Sequence, residues 1–275
     1  YEIYQCDWSS DVCSSDLEGN SDVGGTGATG VRRDDAADPS VNRNGTNLST
    51  CLSIMELCWG DVGMLLGMPR QGLGNAAIAS VANEEQLKRF KGRWAAMAIT
   101  EPGCGSDSAA IRTTERLDGD HYVLNGEKIY VTSGERADLV VVWATLDKSL
   151  GRAAIKSFVV EKGTPGFELV RLEHKLGIRA SDTAHFMLTD CRVPKENLLG
   201  DPSVQPEKSF AGVMQTFDNT RPLVAAMVVG LTRACIEETE KILNSCNLAI
   251  DYQRPLHRQP AAVADLVRSE EHTSE

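Results

Sequence analysis

The sequence predicts an α+β chain: an N-terminal helical region, a central antiparallel β-barrel-like domain, and the truncated start of a C-terminal helical bundle. Three observations carry this reading. Apolar residues recur at helical spacing from Leu52 to Leu66, alternate at strand spacing from Ala95 to Leu188, and return to helical spacing after Phe210. Tight-turn pairs at Asp118-Gly119, Asn125-Gly126 and Ser133-Gly134, with Gly163-Thr164-Pro165-Gly166, punctuate the middle stretch. No helical crossover separates the strands, so neighbours are expected to pair antiparallel.

Taken in order, Tyr1–Leu17 has no amphipathic period and looks like a translated sequencing adapter, as does the tail at 268–275. Both are expected to be non-native, with the natural protein longer at each end. Residues 18–47 are Gly, Asp, Asn, Thr and Arg with few large apolar groups, the composition of a flexible loop. The helical region spans 48–93. A first helix is expected from a cap at Asn47 or Ser49 to Pro69, an Ala-rich second over about 72–82, and a short third capped by Asn83. The strand domain spans 94–202, with strands at 95–100, 111–117, 121–124, 128–132, 137–144, 155–161, 167–172 and 183–188. The bundle begins over 203–267, where Phe210 to Phe217 opens a helical region and Pro222 starts a long helix running to about Ile250.

Composition narrows the function. At 41% hydrophobic the chain can bury a core, and a net charge of -11 repels nucleic acid and anionic membrane at long range. An anionic ligand would need a local basic site. No run reaches the roughly 18–20 apolar residues of a membrane span, so a soluble, cytoplasmic protein is the default expectation. The eight cysteines show no metal-ligand spacing and read as small buried hydrophobes, with Cys51 and Cys58 on one helix face.

The stretch from Met97 to Thr132 holds the chemistry. An apolar run stops at Pro102 and enters a turn where Gly103 and Gly105 let backbone N–H groups converge on an anion, and Ser106 adds a hydroxyl. Thr100 and Thr132 offer further polar groups beside it. An ordinary turn between strands has the same composition.

Five ordered motifs make this reading specific. Thr100-Glu101-Pro102-Gly103-Cys104-Gly105-Ser106-Asp107 and Asn125-Gly126-Glu127-Lys128-Ile129-Tyr130-Val131-Thr132 are followed by Lys175 to Thr183, Val193 to Gly200, and Phe217-Asp218-Asn219-Thr220-Arg221-Pro222. Together they resemble the acyl-CoA dehydrogenase family over about residues 48–250.

The resemblance implies FAD, lined by Met97, Ile99, Thr100, Gly105, Ser106, Tyr130, Val131 and Thr132, with Thr100 and Thr132 on the ring edge and Ser106 near the pyrophosphate. It implies an acyl-CoA substrate contacted by Ser106, Ser181, Asp218 and Arg221, a guanidinium suiting the nucleotide end. The reaction implied is α-proton removal from the thioester with β-hydride transfer to flavin N5, giving a trans-2-enoyl-CoA, with electron-transfer flavoprotein as acceptor and a homodimer or homotetramer as assembly.

The general base of the family is a late Glu, expected beyond the end of this chain, so no catalytic residue is assigned and the fragment is expected to be inactive. Tyr130 stands where the family has Trp. Arg254 or Arg258 stands in the region whose arginine reaches a neighbouring subunit's FAD. Two alternatives remain open at this point: an oxidase or flavin monooxygenase of the same fold, and a non-catalytic acyl-CoA or nucleotide binding module.

Overall fold

The computed structural model of the protein describes residues 46–69, 73–204, 211–251, 253, 254 and 258. The expectations for residues 1–17, for 268–275 and for nearly all of 18–47 lie outside these.

Among the described residues, four helices lead in: α1 (Thr46–Gly60), α2 (Val62–Gly67), α3 (Gly74–Val81) and α4 (Glu84–Arg89). The single first helix expected up to Pro69 is two. Asp61 takes an extended backbone after Gly60, and its carboxylate accepts the Met64 N–H at 2.7 Å, capping α2 instead of continuing α1. Asn83 does cap α4, in a reciprocal box with Gln86. The Gln86 amide also donates to Leu198 O (2.6 Å) and Glu196 O (3.0 Å), which fixes α4 against the segment that follows the last strand.

The described residues then form seven strands: β1 (Ala95–Ala98), β2 (Thr114–Asp118), β3 (His121–Thr132), β4 (Leu139–Thr145), β5 (Ile155–Glu161), β6 (Phe167–Leu172) and β7 (Thr183–Pro194). They run β1-β4-β2-β3-β7-β6, with β5 also on β4. The sheet is largely antiparallel, as expected, but it is mixed and forms a half-barrel. β2–β3, β3–β7, β6–β7 and β4–β5 are antiparallel, but β1 lies parallel to β4, and β2 touches β4 in parallel at Thr114↔Thr145. Between β1 and β4 the chain makes the whole β2–β3 hairpin, so β4 returns in the direction of β1. Trp94 fixes this return: its N–H donates to Asp138 Oδ2 (2.9 Å) and its carbonyl accepts from the Leu139 N–H (3.1 Å).

Asn125-Gly126 is corrected, from a hairpin turn to a point inside the continuous strand β3. The pairing of β3 with β7 shifts register between Leu124 and Gly126. A Cβ on Gly126 would stand 2.4 Å from Thr113 Oγ1, so glycine is present for close approach of the 113 backbone.

β1 and β4 are buried on both faces, which is why they read as continuous apolar runs. One face, with Ala96, Ala98, Val140 and Val142, joins Leu124, Phe158, Phe186 and Leu188 inside the half-barrel. The other, with Met97, Leu139, Val141 and Trp143, meets Ile78 and Phe90 of the leading helices and Phe217 beyond them.

Phe217 belongs to α5 (Ala211–Ser245), which contains Pro222 in its interior instead of starting there. A proline removes one i→i−4 hydrogen bond, and in the preceding turn Thr220 Oγ1 donates to Thr216 O (2.9 Å). α5 lies along α1, joined by a bidentate Arg233–Glu56 pair (2.7 Å each) and by Trp59 Nε1 donating to Glu237 (3.0 Å). No helix of the described residues is long and apolar enough to cross a membrane, and no group of His, Cys, Asp and Glu among them could hold a metal ion.

Candidate functional site

The two halves of the opening motif meet in the interior. Glu101 (6% exposed) accepts at Oε1 from Lys128 Nζ (2.7 Å), Thr113 N (2.9 Å) and Thr113 Oγ1 (2.6 Å), and at Oε2 from Arg112 N (2.6 Å). Lys128 is fully buried and also donates to Ile99 O at 3.1 Å. Burial pushes the Glu101 carboxyl up, but the Lys128 charge and the four bonds outweigh it, so it titrates below its ordinary value. Burial likewise pulls the Lys128 ammonium down, opposed by Glu101.

This lock holds the Thr100–Cys104 turn against β3. Glu101 and Cys104 exchange backbone bonds at 3.0 and 3.1 Å, and the Ile129 N–H donates to Thr100 O at 2.9 Å. Thr100 is thereby set beside the Ile129-Tyr130 bulge, where the β3–β7 register shifts between Lys128 and Val131. Tyr130 sits in the bulge at φ 58° and is 62% exposed, while Val131 is buried behind it. A non-glycine residue in the left-handed region is strained, and strain of this kind clusters at binding sites.

The glycines of the turn are not there for conformation. Neither Gly103 nor Gly105 has positive φ, and a Cβ on either would meet nothing within 4 Å. The turn presents open, side-chain-free backbone with exposed Ser106 following it. Backbone donors in an open glycine turn, a hydroxyl, and an exposed aromatic ring beside a threonine form a donor set that fits a phosphate-linked flat ring such as FAD. Cys104 is buried, and burial with the Glu101 charge raises its thiol, so it is a packing residue.

A second feature lies past the end of β3. An open cleft of about 470 Å³ is lined by Glu135, Arg136, Lys175, Arg179, Ser181 and Thr183, among others. Thr132 pairs in register with Thr183, and Ser133 N donates to Asp182 O at 3.0 Å, so Thr132 and Ser181 occupy one corner. Ser181 is buried at 2% exposure, and its carbonyl accepts from Lys175 Nζ at 2.5 Å, which also donates to Thr183 Oγ1 at 2.9 Å. Desolvation pulls the Lys175 ammonium down, with Asp182 opposing.

The structure thus brings together Thr100 with Tyr130, and Thr132 with Ser181. Met97 and Ile99 lie in the buried cluster that Phe217 packs against, which puts the start of α5 on the same side of the sheet. Arg221 is on that helix, exposed, with its guanidinium 5.7 Å from the Phe217 ring centroid. Asp218 is in α5, but its side chain is outside those described. Arg254 pairs with Asp251 at 2.9 Å. The sequence reading missed Glu101, Lys128, Arg136 and Asp182 as organising groups. A signal existed for Lys128, a charge at an inward position of an otherwise apolar strand face shared with Phe186.

Residues 96–191 match the family model described as acyl-CoA dehydrogenase, middle domain. A short-chain specific acyl-CoA dehydrogenase of Clostridium acetobutylicum is 37% identical over 202 residues, covering 70% of this chain and 52% of that protein. The mitochondrial short-chain specific acyl-CoA dehydrogenase of Mus musculus is 43% identical over 150 residues, covering 54% of this chain and 35% of that protein. The solved structure of butyryl-CoA dehydrogenase from Megasphaera elsdenii superposes with a TM-score of 0.63 at 29% identity, covering 90% of this chain and 64% of that one. The chain spans about half the length of the Clostridium relative and about a third of the mouse one.

Proposed function

Because the chain belongs to the acyl-CoA dehydrogenase family, we propose that it is the flavin-cradling part of an FAD-dependent enzyme that oxidises an acyl-CoA thioester to its trans-2-enoyl-CoA. The single observation that supports this most is the Glu101–Lys128 lock, which joins the two flavin motifs into one open, donor-lined edge. In this reading residues 48–93 are a helical lead-in, 94–202 the flavin domain and 203–267 the start of a helical bundle, with electron-transfer flavoprotein as the electron acceptor and a homo-oligomer as the assembly.

Bound FAD supplies the hydride acceptor at N5. The protein does the rest by placement. Thr100 and Thr132 orient the polar edge of the ring, Tyr130 covers one face of it and excludes water with Val131 packed behind it, and Met97 and Ile99 give that edge an apolar floor. Gly105 and Ser106 donate to the pyrophosphate. Ser106, Ser181, Asp218 and Arg221 hold the acyl-CoA so that its α and β carbons approach the ring. We assign the general base to none of the residues described.

Purified protein is expected to absorb near 450 nm after incubation with FAD, and flavin-loaded full-length enzyme to bleach anaerobically with a short-chain acyl-CoA. Failure to take up FAD while circular dichroism shows a folded protein would sink the proposal. Uptake without bleaching in the full-length enzyme would leave a non-catalytic binding module, and bleaching reversed fastest by O2 would point to an oxidase.

A further inference from the structure

The cleft beside Thr132 is closed on one side by a residue that no motif includes. Arg136 donates from Nε to Asp182 Oδ1 at 2.6 Å and from Nη1 to Gly67 O at 2.7 Å, and its guanidinium lies 5.5 Å from the Trp94 ring centroid. It therefore touches three segments that are distant in sequence: the end of α2, the residue preceding β1, and the loop entering β7. The Asp182 side chain is 8% exposed and receives a second bond from the Glu135 N–H at 3.0 Å. Its backbone carbonyl takes the Ser133 N–H at 3.0 Å. The segment is tightened further from the helix side. A Cβ on Gly67 would meet Ala180 O at 3.0 Å, and one on Gly63 would meet Ile178 Cα at 3.5 Å. Ile178 itself is held at φ 53°, a conformation that an isoleucine does not adopt without support.

We propose that Arg136 is a positioning residue for acyl-CoA binding: by tying Asp182 to the end of α2 it sets the 178–183 loop, and with it Ser181, before the ligand arrives. The proposal rests on the acyl-CoA reading of the site. Two of the guanidinium's directed N–H groups are committed to Asp182 and Gly67, so its part is to hold the cleft wall in place. A planar fork suits this task, because one rigid group reaches a carboxylate and a carbonyl at once. Ordering the loop in advance removes its entropy from the binding step.

The test uses free coenzyme A as probe in calorimetric titrations of wild type, Arg136→Ala, Arg136→Lys and Asp182→Asn, with flavin uptake and the rate of tryptic cleavage after Arg179 read alongside. Arg136→Ala and Asp182→Asn are expected to weaken CoA about tenfold and to speed the cleavage, with flavin uptake unchanged. Arg136→Lys, which keeps the charge but makes one directed contact, should fall between. Where Arg136→Ala does not fold, Arg136→Lys and Asp182→Asn decide. CoA affinity and cleavage rate both unchanged in the variants, against a wild type that binds CoA, would overturn the proposal. A wild type that binds no CoA defeats the acyl-CoA reading instead, and the cleavage rates alone then decide whether Arg136 holds the loop.

Discussion

Lys128 Nζ and Glu101 Oε1 lie 2.7 Å apart in the interior, and neither residue is more than 6% exposed. Removing one partner of a buried pair strands the other's charge at a cost of about 3–5 kcal/mol. Lys128→Met and Glu101→Gln are each expected to lose about that much in urea unfolding and to lose flavin uptake. The double variant should recover most of the stability without recovering FAD, because the turn is no longer drawn against β3. A double variant no more stable than the singles would show that the pair is not the unit.

The depressed Glu101 carboxyl has a pH consequence of definite sign. Its folded value lies below its unfolded one, so its contribution is present above the ordinary glutamate range and is lost as pH falls through the folded value. Glu115 runs the other way. It is half-buried, Oε2 has no partner, and burial raises it to about 7. Its carboxyl is comfortable when protonated, below about 4.5, and becomes a liability as pH climbs through 7. Glu115→Gln is therefore expected to gain about 1–2 kcal/mol relative to wild type at pH 8, after allowance for solvent screening, and nothing at pH 4. Paired urea midpoints at the two pH values check this.

Gly126→Ala and Gly105→Ala separate folding from binding. A methyl on Gly126 collides with Thr113 at 2.4 Å and should destabilise by about 1–3 kcal/mol. A methyl on Gly105 enters open space, so thermal stability should hold, while FAD affinity drops because the backbone is no longer bare to the pyrophosphate. Equal flavin affinity in Gly105→Ala and wild type would remove this turn from the cofactor site.

Tyr130→Gly relaxes a backbone held at φ 58° and should raise the stability of the apo-protein by about 1 kcal/mol. The same change removes the aromatic cover, so flavin dissociates faster and its fluorescence is less quenched. Thermal melts with and without FAD read both effects.

Much of this molecule could be read from residue order. β5 and β6 fall at the residues that alternation picked out, and Asn83 caps α4 as its type and place demand. Errors came where a local signal met a tertiary demand. Asn125-Gly126 has the chemistry of a turn, yet glycine is there because Thr113 passes within contact distance. Pro222 looks like a helix start, yet α5 runs through it. The parallel pairing of β1 with β4 has no local signature at all, since it depends on how the intervening hairpin folds back. In the candidate site the motifs drew attention to Thr100, Tyr130, Thr132 and Ser181, whereas Glu101, Lys128, Arg136 and Asp182, whose bonds hold those segments, were not singled out. Arg136 lies outside every motif and Asp182 inside one, yet only the fold shows that the two are partners.

Among the described residues β1 has one strand neighbour, and that neighbour is remote: the bond from the Trp94 N–H to Asp138 that fixes the pairing spans 44 positions. Closing such a distance carries an entropic cost that the β2–β3 hairpin, with its tight turn, does not face. The strand bearing Met97, and the turn beyond it, should therefore dock late, onto a half-barrel already formed. A cofactor that binds only the completed cradle would capture that last arrival. Refolding in the presence of FAD should then give a higher yield than adding FAD afterwards, as expected of a ligand that clamps the assembled state.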